Sequence, residues 1–286
     1  MLKLSLMKLY KLKSTVLLEQ DNQFYSLPNE NWDELVNQDN LHQFLQATIK
    51  NATPISAEEG ANLVQNELLP PIGQQEVWAS GVTYYRSREA RIEESKDAGG
   101  GDFYDRVYAA ERPELFFKAT PARTVGSGGK VKIRRDSTWD VPEPELTLFM
   151  NSQGSIQGYT IGNDMSSRSI EGENPLYLPQ AKTYDQCAGL GPCLYVPASP
   201  LPSNTLIQLE IKRNEEIAFT DSIPISQMKR GHEELAGFLF RECSFAHGCY
   251  LMTGTGIVPP NSFTLASNDE IRITIEPIGT LVNFVA

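Results

Sequence analysis

Glu143 and Glu145 stand two apart in the stretch Asp140-Val-Pro-Glu-Pro-Glu-Leu-Thr-Leu-Phe-Met150. In an extended strand, side chains alternate between faces, so both carboxylates point the same way. The polar, glycine-containing Asn151-Ser-Gln-Gly154 predicts a turn and Ile156 to Ile161 a second strand, so residues 145 to 162 read as a β-hairpin. Folding back about that turn lays Asn163 or Asp164 opposite Glu143, and a third acid joins the pair. Carboxylates this close raise one another's pKa and call for counter-charge. An all-oxygen donor set suits a hard cation, Mg²⁺ first, with Mn²⁺ or Ca²⁺ as alternatives. The same glutamates also fit a solvated edge-strand face. Pro142 and Pro144, which lack ladder donors, suit an edge or a bulge under either reading.

Other chemistry-bearing residues are scattered along the chain. Lys182 lies on a turn-rich segment downstream of the third acid and reads either as a surface lysine or as a cation beside a metal-bound oxyanion. Glu114 and Lys118 flank an aromatic pair. Met252-Thr-Gly-Thr-Gly-Ile-Val-Pro259 is bracketed by glycines, which lets backbone approach a ligand closely. Arg86 to Lys96 predicts a charged helix ending at Gly99 to Gly101. It is either a lid with a glycine hinge or a solvent-facing helix and loop. The Cys187/Cys193 and Cys243/Cys249 spacings are wider than usual zinc pairs, and all four are read as buried free thiols. His42, His232 and His247 are assigned no chemistry, and the glycines near Gly126 lack the helix and lysine of a nucleotide-binding loop.

The elements that must position these residues form a mixed, mostly β, α+β protein. Residues 1–72 read as a small α/β module with strands around the turn Gln20-Asp-Asn22 and a helix from Trp32 to Ile49. Leu69-Pro-Pro-Ile-Gly73 punctuates the chain, and 73–286 reads as the main body, with a late helix from His232 to Arg241 and a strand at Phe263 to Leu265. At 286 residues, with 40% hydrophobic and 21% charged content, the composition is that of a soluble globular protein. A net charge of −11 without a basic run repels nucleic acid. The N-terminus alternates rather than forming an apolar run, and no segment reaches the ~20 apolar residues of a membrane span, so the expected location is cytoplasmic.

Pro142-Glu-Pro-Glu145, then Gly162-Asn-Asp-Met-Ser-Ser-Arg168, Lys182 to Asp185, Gly191-Pro192 and Thr253-Gly-Thr-Gly256 resemble, in this order, the fumarylacetoacetate hydrolase superfamily over residues 75 to 286. The resemblance implies a mixed β-roll core and a divalent metal on Glu143, Glu145 and Asp164. Arg112 to Pro121 and Glu173 to Gln180 are similar to the branch that dehydrates 2-dehydro-3-deoxypentonates. That likeness implies Glu114 and Lys182 as catalytic groups and Thr255 as a substrate contact, with Tyr84 and Arg88 as further substrate-binding candidates on the lid side. The activity it implies is Mg²⁺-dependent conversion of a 2-oxo-3-deoxy sugar acid to 2,5-dioxopentanoate, and the family implies a homodimer or tetramer. The carbon–carbon hydrolases of the superfamily carry a histidine shortly after the first core strand. Here Ser87 follows Tyr84 by three, and no histidine lies between His42 and His232. A hydrolase without that base would lose ~10²–10⁴ in rate. An acylpyruvate hydrolase, a 2-oxo acid decarboxylase and a non-catalytic binding protein are the alternatives.

Overall fold

The computed structural model describes residues 6–28, 30–94 and 101–286. β1 (Met7–Lys11), β2 (Val16–Gln20) and β3 (Gln23–Leu27) form a meander. The second turn is tight because Asp21 and Asn22 both take positive φ, the geometry that favours Asn and Asp. The helix expected from Trp32 to Ile49 is broken into α1 (Trp32–Val36) and α2 (Leu41–Ile49). Asn40 is left-handed, the Leu41 amide is taken by Gln157 Oε1 at 2.9 Å, and Asn37 Oδ1 accepts from the Ser152 amide at 2.7 Å. Tertiary bonds to the central hairpin thus replace the missing helical turn. β4 (Thr53–Ile55) and α3 (Ala57–Glu67), capped by Ser56, complete this part.

From there the chain runs through β5 (Glu76–Gly81), α4 (Tyr85–Glu94), α5 (Gly101–Ala109) and β6 (Glu114–Ala119). Of the expected glycine hinge, Gly99 and Gly100 lie outside the described residues and Gly101 opens α5. Short β7 (Thr124–Val125) and β8 (Lys130–Val131) precede the long hairpin β9 (Asp140–Met150) and β10 (Ile156–Ser167). α6 (Arg168–Glu173), α7 (Leu178–Lys182) and β11 (Ala188–Tyr195) follow. The remainder is β12 (Leu206–Arg213), β13 (Glu216–Pro224), α8 (His232–Leu239), β14 (Cys249–Met252), β15 (Glu270–Ile275) and β16 (Gly279–Val285). Phe263 to Leu265, expected as a strand, is irregular, although the Leu265 amide still bonds to the Asp140 carbonyl at 2.9 Å.

Among the described residues there are two sheets. The larger runs β4-β3-β2-β1-β11-β10-β9-β14-β5-β6, with β7 also on β11, and the smaller runs β13-β12-β15-β16-β8. Residues 1–72 therefore continue the main sheet through the β1–β11 pairing, and Leu9, Leu35 and Leu45 share one apolar cluster with Val77, Phe149 and Tyr250. The thiols are free; Cys187, Cys193 and Cys249 are buried, whereas Cys243, expected inside, is exposed just beyond α8.

Candidate metal centre

The hairpin register places Asp164 directly opposite Glu143, and the carboxylates of Glu143, Glu145 and Asp164 offer oxygens within 4.8 Å of one another. All three are buried, at 5%, 1% and 1% exposure, which removes the solvated edge-strand reading. The prolines nonetheless occupy an edge-like half of β9: β14 pairs only Thr147 to Met150, so from Leu146 back to Asp140 the strand has β10 on one side and irregular chain on the other. That irregular chain is the Thr253 to Gly256 loop beside Glu145 and Leu146, and Thr264 to Leu265 at the Asp140 end. The Thr253 amide bonds to the Leu146 carbonyl at 3.1 Å and the Gly254 amide donates to Glu145 Oε2. Gly254 has φ +95, and a Cβ there would sit 2.0 Å from Thr83 Oγ1, so only glycine lets the loop come this close.

Burial first, then the neighbouring charges of Asp164 and Glu143, push the Glu145 carboxyl well above the usual carboxylate range, while Lys182 and the Gly254 amide oppose the shift. Cations partly answer this charge. Lys182 Nζ lies 2.5 Å from Glu143 Oε2, 3.2 Å from Asp164 Oδ2, 3.3 Å from Glu171 Oε1 and 2.6 Å from Ser166 Oγ. Arg168 Nη2 donates to Glu143 Oε1 at 2.7 Å and Nη1 stands 3.7 Å from Glu171 Oε2. Lys118, fully buried, reaches Asp164 Oδ1 at 2.5 Å and donates to the carbonyls of Met165 and Lys182, tying β10 to the end of α7. Three clustered carboxylates with no softer donor fit a hard dication, and burial makes such an ion the natural complement of the repulsion between them.

Lys182, Glu143, Glu145 and Asp164 line one crevice with Thr255, Arg168, Phe116 and Ser87. Glu114 opens β6 at the same wall: a Cβ on the crevice residue Gly81 would fall 2.0 Å from Glu114 Oε2. Tyr84 lies behind this wall, packed on Gly256, with its buried hydroxyl lacking a hydrogen-bond partner among the described residues and its pKa raised by burial and by Glu145. Arg88 is not brought to the cluster. Its Nε donates to Asp105 Oδ1 at 2.7 Å and its guanidinium lies between the rings of Tyr85 and Tyr108. Lys118, Ser166, Arg168 and Glu171, which carry no expected role in the sequence, join the cluster. Strand alternation had a signal for one of them, because Glu114, Phe116 and Lys118 share a face of β6.

The model of the fumarylacetoacetate (FAA) hydrolase C-terminal family matches residues 82–286, and the chain belongs to that family. Within it, the chain is 48% identical over 216 residues to a probable 2-keto-3-deoxyxylonate dehydratase of Haloferax volcanii, covering 75% of this chain and 73% of that one. It is 44% identical over 215 residues to the 2-dehydro-3-deoxy-D-arabinonate dehydratase of Saccharolobus solfataricus, covering 74% and 72%. A solved 2-keto-3-deoxy-D-arabinonate dehydratase complexed with magnesium and 2,5-dioxopentanoate superimposes with a TM-score of 0.81 at 33% identity over 98% of both chains.

Proposed function

We propose that this chain dehydrates a 2-oxo-3-deoxy sugar acid of pentonate length to 2,5-dioxopentanoate, with Mg²⁺ as cofactor, in the breakdown of pentoses. Support comes from the dehydratases it resembles at 44–48% identity and from the relative solved with magnesium and this product. The observation that carries the reading is a lysine amine 2.5 Å from a carboxylate of a buried three-acid cluster: a proton carrier at the edge of an oxygen cage.

Glu143, Glu145 and Asp164 would hold the ion, which would supply Lewis-acid polarisation of the substrate's 2-oxo group and so acidify the C3 hydrogens. Lys182 Nζ, held by Ser166 and Glu171 as well as by the acid cluster, takes the proton from C3 and returns one there in the final tautomerisation. Glu114, on the opposing wall, delivers the proton that leaves with the C4 hydroxyl as water, and the resulting 5-hydroxy-2-oxo-3-enoate tautomerises to 2,5-dioxopentanoate through the enol formed by losing a proton at C5 and regaining one at C3. Arg168 and Thr255 orient the substrate carboxylate within the crevice. Tyr84 backs the crevice behind Gly256, and the Asp105 pairing leaves Arg88 holding the two helices together. Incubation of the protein with Mg²⁺ and a panel of 2-oxo-3-deoxy sugar acids and acylpyruvates, with products followed by mass, tests the reading. Loss of one water from a pentonate substrate is the expected result; cleavage of an acylpyruvate into two fragments, or no turnover, would overturn it.

A further inference from the structure

Residues 228–230 hold both ends of the helical pair α4–α5. Met228 pairs with Tyr84 in an isolated bridge and the Lys229 amide donates to the Thr83 carbonyl at 2.9 Å, which fixes the root of α4. Their side chains take the other end. Lys229 Nζ donates to the Tyr108 carbonyl and stands 4.4 Å from that ring's centroid. Arg230, only 6% exposed, donates to the carbonyls of Glu111 at 2.7 Å, Val107 at 3.2 Å and Ala110 at 2.5 Å, and pairs with Glu234 Oε1 at 2.6 Å. The last turn of a helix leaves carbonyls without intrahelical partners, and a cation there is favoured by the helix dipole. A planar guanidinium can serve several such carbonyls at once, which an ammonium does less well.

What this grip holds is the roof of the crevice. α4 contributes Ser87 to the crevice lining and packs on α6, the helix of Arg168 and Glu171. α5 is fastened to α4 by the Arg88–Asp105 ion pair and by the Tyr85–Tyr108 rings at 6.4 Å. We propose that Arg230 is a positioning residue: by anchoring the carboxyl end of α5 it keeps α4 seated over the carboxylate cluster, and so sets how tightly a metal-chelating 2-oxo acid is retained. The inference rests on the function proposed above for what the crevice binds.

The full chain tests it through amide hydrogen exchange and calorimetric titration of oxalate, a bidentate dianion, into the Mg²⁺-loaded protein. Arg230→Ala should speed exchange in residues 101–111 by roughly tenfold, the loss expected from hydrogen bonds to a charged donor, while β9 and β10 exchange as before. Oxalate affinity should weaken by a similar factor with Mg²⁺ affinity unchanged, and Arg230→Lys should fall between. If Arg230→Ala does not fold, Arg230→Lys gives the same comparison at smaller amplitude. Unchanged exchange in 101–111, or faster exchange with oxalate held as tightly as by the wild type, would overturn the proposal. Absence of turnover of any sugar acid by the wild type would instead overturn the dehydratase reading, leaving the exchange and oxalate comparison to decide for Arg230.

Discussion

Charged residues two apart along a strand occur in both sheets, and the two cases behave differently. On the smaller sheet, Glu210 and Lys212 of β12 face Arg272 and Glu270 of β15 in register, so each charge has an opposite one across the strand and beside it. These side chains are 22–39% exposed, so water shares in their solvation. On the larger sheet, Glu143 and Glu145 have the same sign, face a third acid and are buried. Identical spacing therefore marks a half-exposed ladder in one place and a buried acid cluster able to hold a cation in the other. Burial and sign decide: like charges out of water are tolerated where something of opposite charge is meant to arrive.

The largest effect should come from the cage itself. Asp164→Asn should lower turnover by ~10³-fold or more, since both the ligand set and the Lewis acid it holds are lost, with the circular dichroism spectrum unchanged. Chelating Mg²⁺ from the wild type should reproduce the loss, and re-addition should reverse it. Next, Lys182→Met should cost ~10²–10⁴ in kcat, the usual worth of a positioned proton carrier, measured at saturating Mg²⁺. The smallest effect separates burial from metal binding. Asp140 is on the opposite face of β9 from the cage, and burial raises its pKa from 3.8 to about 6, with Ser137 and Arg134 opposing. Its folded pKa is raised, so the stability contributed by the protonated form is complete below pH 3.8 and is lost as pH rises through about 6. Asp140→Asn should then melt ~2–4 °C above the wild type at pH 8 and show no advantage at pH 4, in thermal scans at each pH. An advantage at both values would mean the change acts through packing.

The cage was readable from the chain because its ingredients are local. Strand period placed Glu143 beside Glu145, and the turn at Asn151–Gly154 set the register that brings in Asp164. Lys182 was readable as a cation near it, but the rest of the surrounding charges were not. Lys118 comes from β6, separated from β10 by β5, β14 and β9, and Arg168 and Glu171 from a helix whose start at Ser167 only the folded chain reveals. The pairing of Arg88 was not readable for a related reason: its partner Asp105 is seventeen residues away on a second helix, and no local pattern announces that pair. The break between α1 and α2 likewise depends on Gln157 and Ser152, far along the chain.

The contrast between the two charged strands is tested most directly by calorimetric titration of Mg²⁺ into the wild type, Glu145→Gln and Glu210→Gln. One ion should bind per chain in the wild type and in Glu210→Gln with the same affinity, and binding should be lost or severely weakened in Glu145→Gln. Equal Mg²⁺ affinity in all three proteins would contradict the account.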